Sequence, residues 1–227
     1  MVRAHIDWLV RNVILTVTRD AGLVLSAYLN KVVNNEVQPF QDGHSIPRLP
    51  ALESLIVRSH LKVLELGAGC GIVGLTLASH RRQESTTIQL TDLPEASSIL
   101  DRNITRFRKM RSRSEVTHRV LDWSLEDLPR DIASAMWDLI LVADCTYNPD
   151  VVPDLVKTLK RITSGNSKNA LICLAMKVRH DSEMVFFQLM RDSGFAILEE
   201  GKVGLPVLEE ERQEIEIFIF KDEAHGI

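Results

Sequence analysis

The sequence predicts a doubly wound α/β fold, with a mostly parallel seven-stranded sheet and an antiparallel edge strand. From residue 62 onward, short apolar segments alternate with segments of helical periodicity through five units. This pattern is typical of a parallel sheet with helices on both faces. Two strand-like segments with little helical sequence between them close the chain, and they predict antiparallel pairing at one edge. The 227 residues, 45% of them hydrophobic, are enough for one such domain.

Each element is predicted from the spacing of its apolar residues. Alternating or continuous apolar runs indicate strands, and a 3.6-residue period indicates helices. The predicted strands span 62–66, 86–92, 115–123, 137–144, 169–176, 195–203 and 214–222. The predicted helices span 21–33, 51–59, 72–80, 94–107, 150–163 and 181–193. Because segment 137–144 is almost entirely apolar, we expect that strand at the centre of the sheet.

Composition argues against several classes of function. The net charge of −4 lacks the basic excess of a dedicated nucleic-acid binder. The charged N-terminus has no signal-peptide core, and no apolar run approaches the ~20 residues of a membrane span. Cys70, Cys145 and Cys173 have neither zinc-site nor disulfide spacing, so we expect reduced thiols and no metal. The expected location is the cytoplasm, with the nucleus as a second compartment.

The sharpest motif is a glycine-rich turn between the first strand and the next helix, Glu65-Leu-Gly67-Ala-Gly69-Cys-Gly71. Glycines let the backbone turn tightly and approach a ligand. Gly69, Gly71 and Gly74 also fit the dinucleotide fingerprint G-x-G-x-x-G, so a nicotinamide cofactor stays open. Glu65 would repel a pyrophosphate but suits the ammonium end of S-adenosylmethionine, which favours the latter. The alternative is a turn whose glycines only permit close packing.

Four segments together resemble the seven-strand methyltransferases of lysine methyltransferase family 16: VLELGAGCGIVGL, TDLPEA, LDW and ADCTYNP. The resemblance runs from about residue 20 to the C-terminus. It implies a Rossmann-like methyltransferase fold, S-adenosylmethionine as cofactor, and methylation of a lysine in a cytosolic non-histone protein such as a chaperone or translation factor. Residues 1–59 would form an N-terminal extension whose helix covers the cofactor site, and residues 60–227 the S-adenosylmethionine-binding domain.

The resemblance also assigns roles to individual residues. The implied cofactor-binding residues are Glu65, Gly67, Gly69, Gly71, Asp92, Leu93, Trp123 and Ala143. Asp92 would accept two ribose hydroxyls, or else serve only as a turn residue before Pro94. Trp123 would offer a flat face to adenine, or else pack in the core.

Asp144 and Tyr147 belong to a D-x-x-Y motif and are the implied catalytic residues. Asp144 would attract and orient the lysine ammonium, and Tyr147 would form a wall of the lysine pocket. The alternative for Asp144 is a cap on the helix that follows. Arg19 departs from the family, which has a tryptophan there. Three other functions stay open: a small-molecule N-methyltransferase, a nicotinamide-dependent oxidoreductase and a non-catalytic scaffold.

Overall fold

The computed structural model describes residues 20–34, 47–81, 85–110, 112–177, 184–204 and 214–223. Arg19, the rest of 1–19, and most of the predicted loop 34–50 therefore lie outside the described residues. The helices are α1 (Asp20–Val33), α2 (Pro50–Ile56), α3 (Ile72–His80), α4 (Ser97–Arg108), α5 (Arg130–Ala133), α6 (Val152–Ser164) and α7 (Met184–Asp192). The strands are β1 (His60–Leu66), β2 (Ser85–Asp92), β3 (Glu115–Val120), β4 (Leu139–Ala143), β5 (Leu171–Met176), β6 (Phe195–Gly204) and β7 (Glu214–Asp222).

The seven strands form one sheet in the order β3-β2-β1-β4-β5-β7-β6. Strands β1 to β5 pair in parallel. Strand β7 runs antiparallel both to β5 and to the edge strand β6. The doubly wound, mostly parallel sheet with antiparallel pairing at one edge is thus confirmed. The apolar strand β4 is the fourth of seven, so its predicted central position is also confirmed.

Alternation along the central strands divides the core between the two faces of the sheet. Val63 and Leu139 belong to a buried cluster with helices α1 to α4, whereas Leu64 and Ile140 belong to a second cluster with helices α5 to α7. A strand that buries both faces needs apolar residues at consecutive positions. The uninterrupted apolar run of β4 meets that need, because helices cover the sheet on both faces.

Two elements end three residues earlier in the structure than the sequence predicts. Strand β3 stops at Val120 instead of continuing through Trp123, and helix α2 stops at Ile56. The Leu-Asp-Trp segment forms a turn because the Asp122 carboxylate accepts hydrogen bonds from the Ser124 N–H at 2.9 Å and its hydroxyl at 2.7 Å. Such local side-chain bonds compete with strand pairing.

The strand order creates a crevice at the carboxyl ends of β1 and β4. The chain proceeds outward from β1 to β2 and β3, then crosses back to β4 on the other side. At such a switch point the loops after adjacent strands diverge, and ligands of open α/β sheets bind there. The predicted functional residues lie at or just after the carboxyl ends of β1, β2, β3 and β4, so the fold brings them to this crevice.

Candidate functional site

A cavity of about 360 Å³ opens at the carboxyl ends of the central strands. Its walls come from the segments after β1, β2, β3 and β4, with one side formed by the start of α1 and another by the start of α6. Nine of the ten residues predicted from the sequence line it: Glu65, Gly67, Gly69, Asp92, Leu93, Trp123, Ala143, Asp144 and Tyr147.

The three glycines of the turn have different surroundings, although all have positive φ. A Cβ on Gly67 would lie 2.5 Å from the Cys145 Sγ, so any side chain there would collide with the opposite wall. A Cβ on Gly69 would meet nothing within 4 Å, which leaves that backbone open to the cavity. Gly71 does not line the cavity, and a Cβ on it would lie 2.8 Å from the Leu90 Cδ1.

Glu65 is a buried carboxyl group at the floor of the cavity, only 2% exposed. Its Oε2 accepts a hydrogen bond from the Gly74 N–H at 2.7 Å. Burial raises the pKa of Glu65 to about 8, with repulsion from Asp92 adding to the effect and the Gly74 bond opposing it. A Cβ on Gly74 would lie 2.6 Å from Oε2. The third glycine of the fingerprint therefore makes room for a carboxyl group.

Asp92 ties the end of β2 to the glycine turn. Its Oδ2 accepts the Gly69 N–H at 2.6 Å, and its Oδ1 accepts the Leu93 N–H at 2.7 Å. Each carboxylate oxygen can accept more than one hydrogen bond. Since Asp92 also lines the cavity, it has acceptor capacity left for hydroxyl groups of a ligand.

Trp123 and its neighbours form one end of the cavity. The Trp123 ring lies 3.3 Å from where a Cβ of Gly67 would be, and its Nε1 is buried without a hydrogen-bond partner among the described residues. Asp122 and Ser124 line the same end. Hydrogen bonds from Ser124 lower the pKa of Asp122. The sequence carries no separate signal for either polar residue, although Asp122 belongs to the Leu-Asp-Trp motif.

Asp144 lies at the entrance in a left-handed backbone conformation, with φ of 56°. Its N–H donates to the Ala175 carbonyl of β5 at 2.9 Å. Its Oδ2 accepts the N–H of Ala21, in the first turn of α1, at 3.2 Å. Asp144 thus caps α1, which lies 123 residues away, whereas the sequence alternative was a cap on the next helix, α6, which begins at Val152.

Other entrance residues differ in burial. The Tyr147 side chain is 56% exposed. Cys145 is 6% exposed, and burial raises its pKa to about 12, so it is a neutral thiol near pH 7. Gly22 of α1 and Asp154 of α6 also line the cavity. Neither belongs to a motif, and only the packing of distant helices brings them to the site.

The charged residues that line the cavity are all acidic: Glu65, Asp92, Asp122, Asp144 and Asp154. No Lys, Arg or His is among the lining residues of the described chain. Such a wall attracts cations and repels phosphates.

Among the described residues, no group of three or more His, Cys, Asp or Glu side chains is arranged to hold a metal ion. No helix in that part of the chain is long and apolar enough to cross a membrane.

Comparison with protein families gives a match to the lysine methyltransferase model over residues 10–193. A UPF0665 family protein of Schizosaccharomyces pombe is 33% identical over 57% of this chain and 37% of its own length. EEF1A lysine methyltransferase 3 of Xenopus tropicalis is 34% identical over 60% of this chain and 55% of its own. Protein-lysine N-methyltransferase EFM6 of Saccharomyces cerevisiae is 34% identical over 61% of this chain and 58% of its own length. The chain thus covers less than two thirds of each of these relatives.

Solved structures support the fold. A SAM-dependent methyltransferase from Methanosarcina mazei superimposes with a TM-score of 0.53 at 15% identity, covering 78% of this chain and 99% of its own. A TehB-like SAM-dependent methyltransferase from Corynebacterium glutamicum superimposes with a TM-score of 0.52 at 13% identity, covering 96% of this chain and 97% of its own. SAM is S-adenosylmethionine, the methyl donor that the family and fold imply.

Proposed function

The chain belongs to the lysine methyltransferase family, and on that premise we propose that it transfers a methyl group from S-adenosylmethionine to a lysine of a cytosolic non-histone protein. The acidic lining of the cavity is the observation that carries this proposal. S-adenosylmethionine has a sulfonium and an ammonium group, and a target lysine brings a third cationic group. A nicotinamide dinucleotide would instead bring two phosphates close to four aspartates and the carboxyl group of Glu65, at a large electrostatic cost.

The residues present fit the proposed cofactor. The open space beside Gly69 allows a ligand to approach the backbone closely. Asp92 has acceptor capacity for ribose hydroxyls, and the Trp123 ring offers a flat face with a buried, unsatisfied N–H. Asp122 precedes Trp123 in the chain, lines the same cavity and would accept a hydrogen bond from an amino group of adenine. Glu65 and its acidic neighbours favour the ammonium end.

The task of the protein is binding and alignment, because S-adenosylmethionine supplies a strongly activated methyl group. Asp144 would attract the lysine ammonium and aim it at the cavity, while Tyr147 would form the side of the lysine channel. The amine must lose a proton before its nitrogen attacks. With a lysine pKa near 10.4, this costs roughly 4.6 kcal/mol at pH 7. Desolvation in the closed channel would lower that cost.

The substrate to test first is EEF1A, because one relative is named as its lysine methyltransferase. A chaperone is the second choice. We propose the cytosol as the place of reaction, with the nucleus as a second compartment, and we expect no nucleic-acid substrate because the cavity wall is acidic.

Methyl transfer tests the proposal. The full chain is incubated with methyl-labelled S-adenosylmethionine and either purified EEF1A or a heat-treated cell lysate. We expect label in protein, recovered as methyl-lysine after hydrolysis, and less label with Asp144→Ala or Tyr147→Phe. Label confined to small molecules would favour a small-molecule N-methyltransferase. NAD reduction without methyl transfer would favour an oxidoreductase, and cofactor binding without any transfer a scaffold.

A further inference from the structure

The first helix contributes to one wall of the cavity through Gly22, which is distant in sequence from the other lining residues. Gly22 of α1 lines the cavity together with Ile72 and Val73 of α3. A Cβ on Gly22 would lie 3.4 Å from Ile72 Cγ2 and 3.9 Å from Val73 Cγ2, so the two helices are in close contact. The position of the start of α1 therefore affects the shape of the cavity.

A hydrogen bond from the backbone to a side chain holds the start of α1. The Ala21 N–H belongs to the first turn of α1, where backbone N–H groups have no partner within the helix. The Asp144 Oδ2 accepts this N–H at 3.2 Å. A carboxylate at a helix N-terminus also interacts favourably with the helix dipole.

The backbone of Asp144 has an unusual left-handed conformation where it makes this contact. Among the described residues, it is the only one other than glycine with positive φ, at 56°. Asp and Asn tolerate this conformation better than most residues, and strained conformations persist only where the surroundings fix them. Here the Asp144 N–H is held by the Ala175 carbonyl at 2.9 Å, and the side chain is held by α1. The residue after β4 is thus anchored to β5 on one side and to α1 on the other.

We infer that Asp144 is a positioning residue for α1: by accepting the Ala21 N–H, it fixes one wall of the cavity and so sets the affinity for an S-adenosyl ligand. This role is separate from its attraction of the target lysine. The affinity part of the inference rests on the proposed function, whereas the effect on α1 does not depend on any ligand.

Three substitutions separate the contributions of Asp144. Asp144→Asn removes the charge but keeps an oxygen acceptor and the tolerance for positive φ. Asp144→Gly removes the acceptor without adding backbone strain, and Asp144→Ala removes the acceptor and adds strain. Asp154→Ala is the matched charge control, because Asp154 lines the same cavity without a hydrogen bond or ion pair among the described residues.

The first measurement is hydrogen exchange of the amides of residues 21–25 in the ligand-free full chain. Loss of a helix cap should speed this exchange about fivefold in Asp144→Gly and Asp144→Ala. Asp144→Asn and Asp154→Ala should exchange like the parent protein. Equal exchange in all five proteins, or equal acceleration in Asp144→Asn and Asp144→Ala, would overturn the inference. Urea unfolding of each variant shows whether the whole chain or only α1 has become less stable.

The second measurement is the dissociation constant of S-adenosylhomocysteine, determined by calorimetry. We expect affinity about fivefold weaker for Asp144→Gly and Asp144→Ala, and near the parent value for Asp144→Asn. Faster exchange with unchanged affinity would overturn the link between α1 and the ligand. If exchange changes as expected but the parent protein does not bind S-adenosylhomocysteine, the proposed function fails while the role of Asp144 in α1 stands.

Discussion

The glycine turn after β1 and the segment after β4 both line the cavity, but different kinds of contact fix them. In the turn, Glu65 accepts the Gly74 N–H and Asp92 accepts the Gly69 N–H, contacts that span 9 and 23 residues. After β4, Asp144 accepts the Ala21 N–H across 123 residues. The turn is assembled from neighbouring strands and the start of one helix, whereas the entrance depends on the distant N-terminal helix α1.

The two regions also differ in burial. Glu65 is 2% exposed, and Tyr147 is 56% exposed. Substitutions in the turn should therefore cost folding stability as well as ligand affinity, while substitution of the exposed Tyr147 at the entrance should mainly change methyl transfer. The cavity thus has a buried, preformed half at the glycine turn and an exposed, adjustable half around Tyr147.

The largest expected effect is the change in the free energy of unfolding with pH that the ionisation of Glu65 causes. Its pKa is about 8 in the folded protein, against 4.5 for an ordinary Glu. Between these values the unfolded chain ionises and the folded chain does not, so Glu65 lowers the free energy of unfolding as pH rises through this window. The full shift corresponds to on the order of 4–5 kcal/mol.

Urea unfolding of the parent protein and Glu65→Gln at pH 5 and pH 8 measures this effect. The glutamine keeps an acceptor for the Gly74 N–H but does not titrate. We expect the variant to gain stability relative to the parent protein as pH rises. A difference that does not change with pH would show that the turn is not built around a neutral carboxyl group.

The second prediction compares two glycines of the same turn. Gly67→Ala would bring a Cβ within 2.5 Å of the Cys145 Sγ, whereas Gly69→Ala would meet nothing within 4 Å. Both variants carry the cost of positive φ, about 1–2 kcal/mol. Overpacking should add about 1–3 kcal/mol only at Gly67. Chemical denaturation measures both, and equal losses would contradict the geometry of the preformed half.

The third prediction concerns Asp92. Asp92→Ala removes the acceptor of the Gly69 N–H and of the proposed ribose hydroxyls, so S-adenosylhomocysteine should bind about 1–3 kcal/mol more weakly. Asp92→Asn, which keeps one oxygen, is the matched control and should lose less. Calorimetry on the folded variants decides the matter. Unchanged affinity in Asp92→Ala would leave this residue a turn-forming role only.

The smallest expected effect is at the exposed entrance. Tyr147→Phe removes a hydroxyl from a side chain that is 56% exposed. The activation free energy of methyl transfer should rise by about 0.5–1.5 kcal/mol, the net value of one hydrogen bond. The melting temperature and the affinity for S-adenosylhomocysteine should stay near the parent values. Single-turnover assays and thermal melts on the same samples test this. A lower melting temperature with normal turnover would assign Tyr147 to the fold.

The sequence predicts the strands and helices of the central units well because their apolar periodicity is determined by burial on both faces of the sheet. Helix α3, for example, spans the predicted residues 72–80. The prediction for 115–123 was too long because the polar side chains of Asp122 and Ser124 form a local turn. Periodicity does not register such a bond.

Motifs indicate the preformed half of the cavity better than the adjustable half. Glycines and acids near a strand end suggest a ligand turn, since local geometry demands them. Gly22 and Asp154 carry no such signal, and only the packing of α1 and α6 brings them to the cavity. The partner of Asp144 could not be predicted from the D-x-x-Y spacing, because Ala21 lies on a separate helix.

Titration of the full chain with S-adenosylhomocysteine and, separately, with NAD tests the central claim most directly. The claim is that this acidic cavity binds S-adenosyl compounds. Calorimetry should give saturable binding of one S-adenosylhomocysteine per chain and no heat from NAD. Saturable binding of NAD without binding of S-adenosylhomocysteine would contradict the cofactor assignment and the proposed methyl transfer with it.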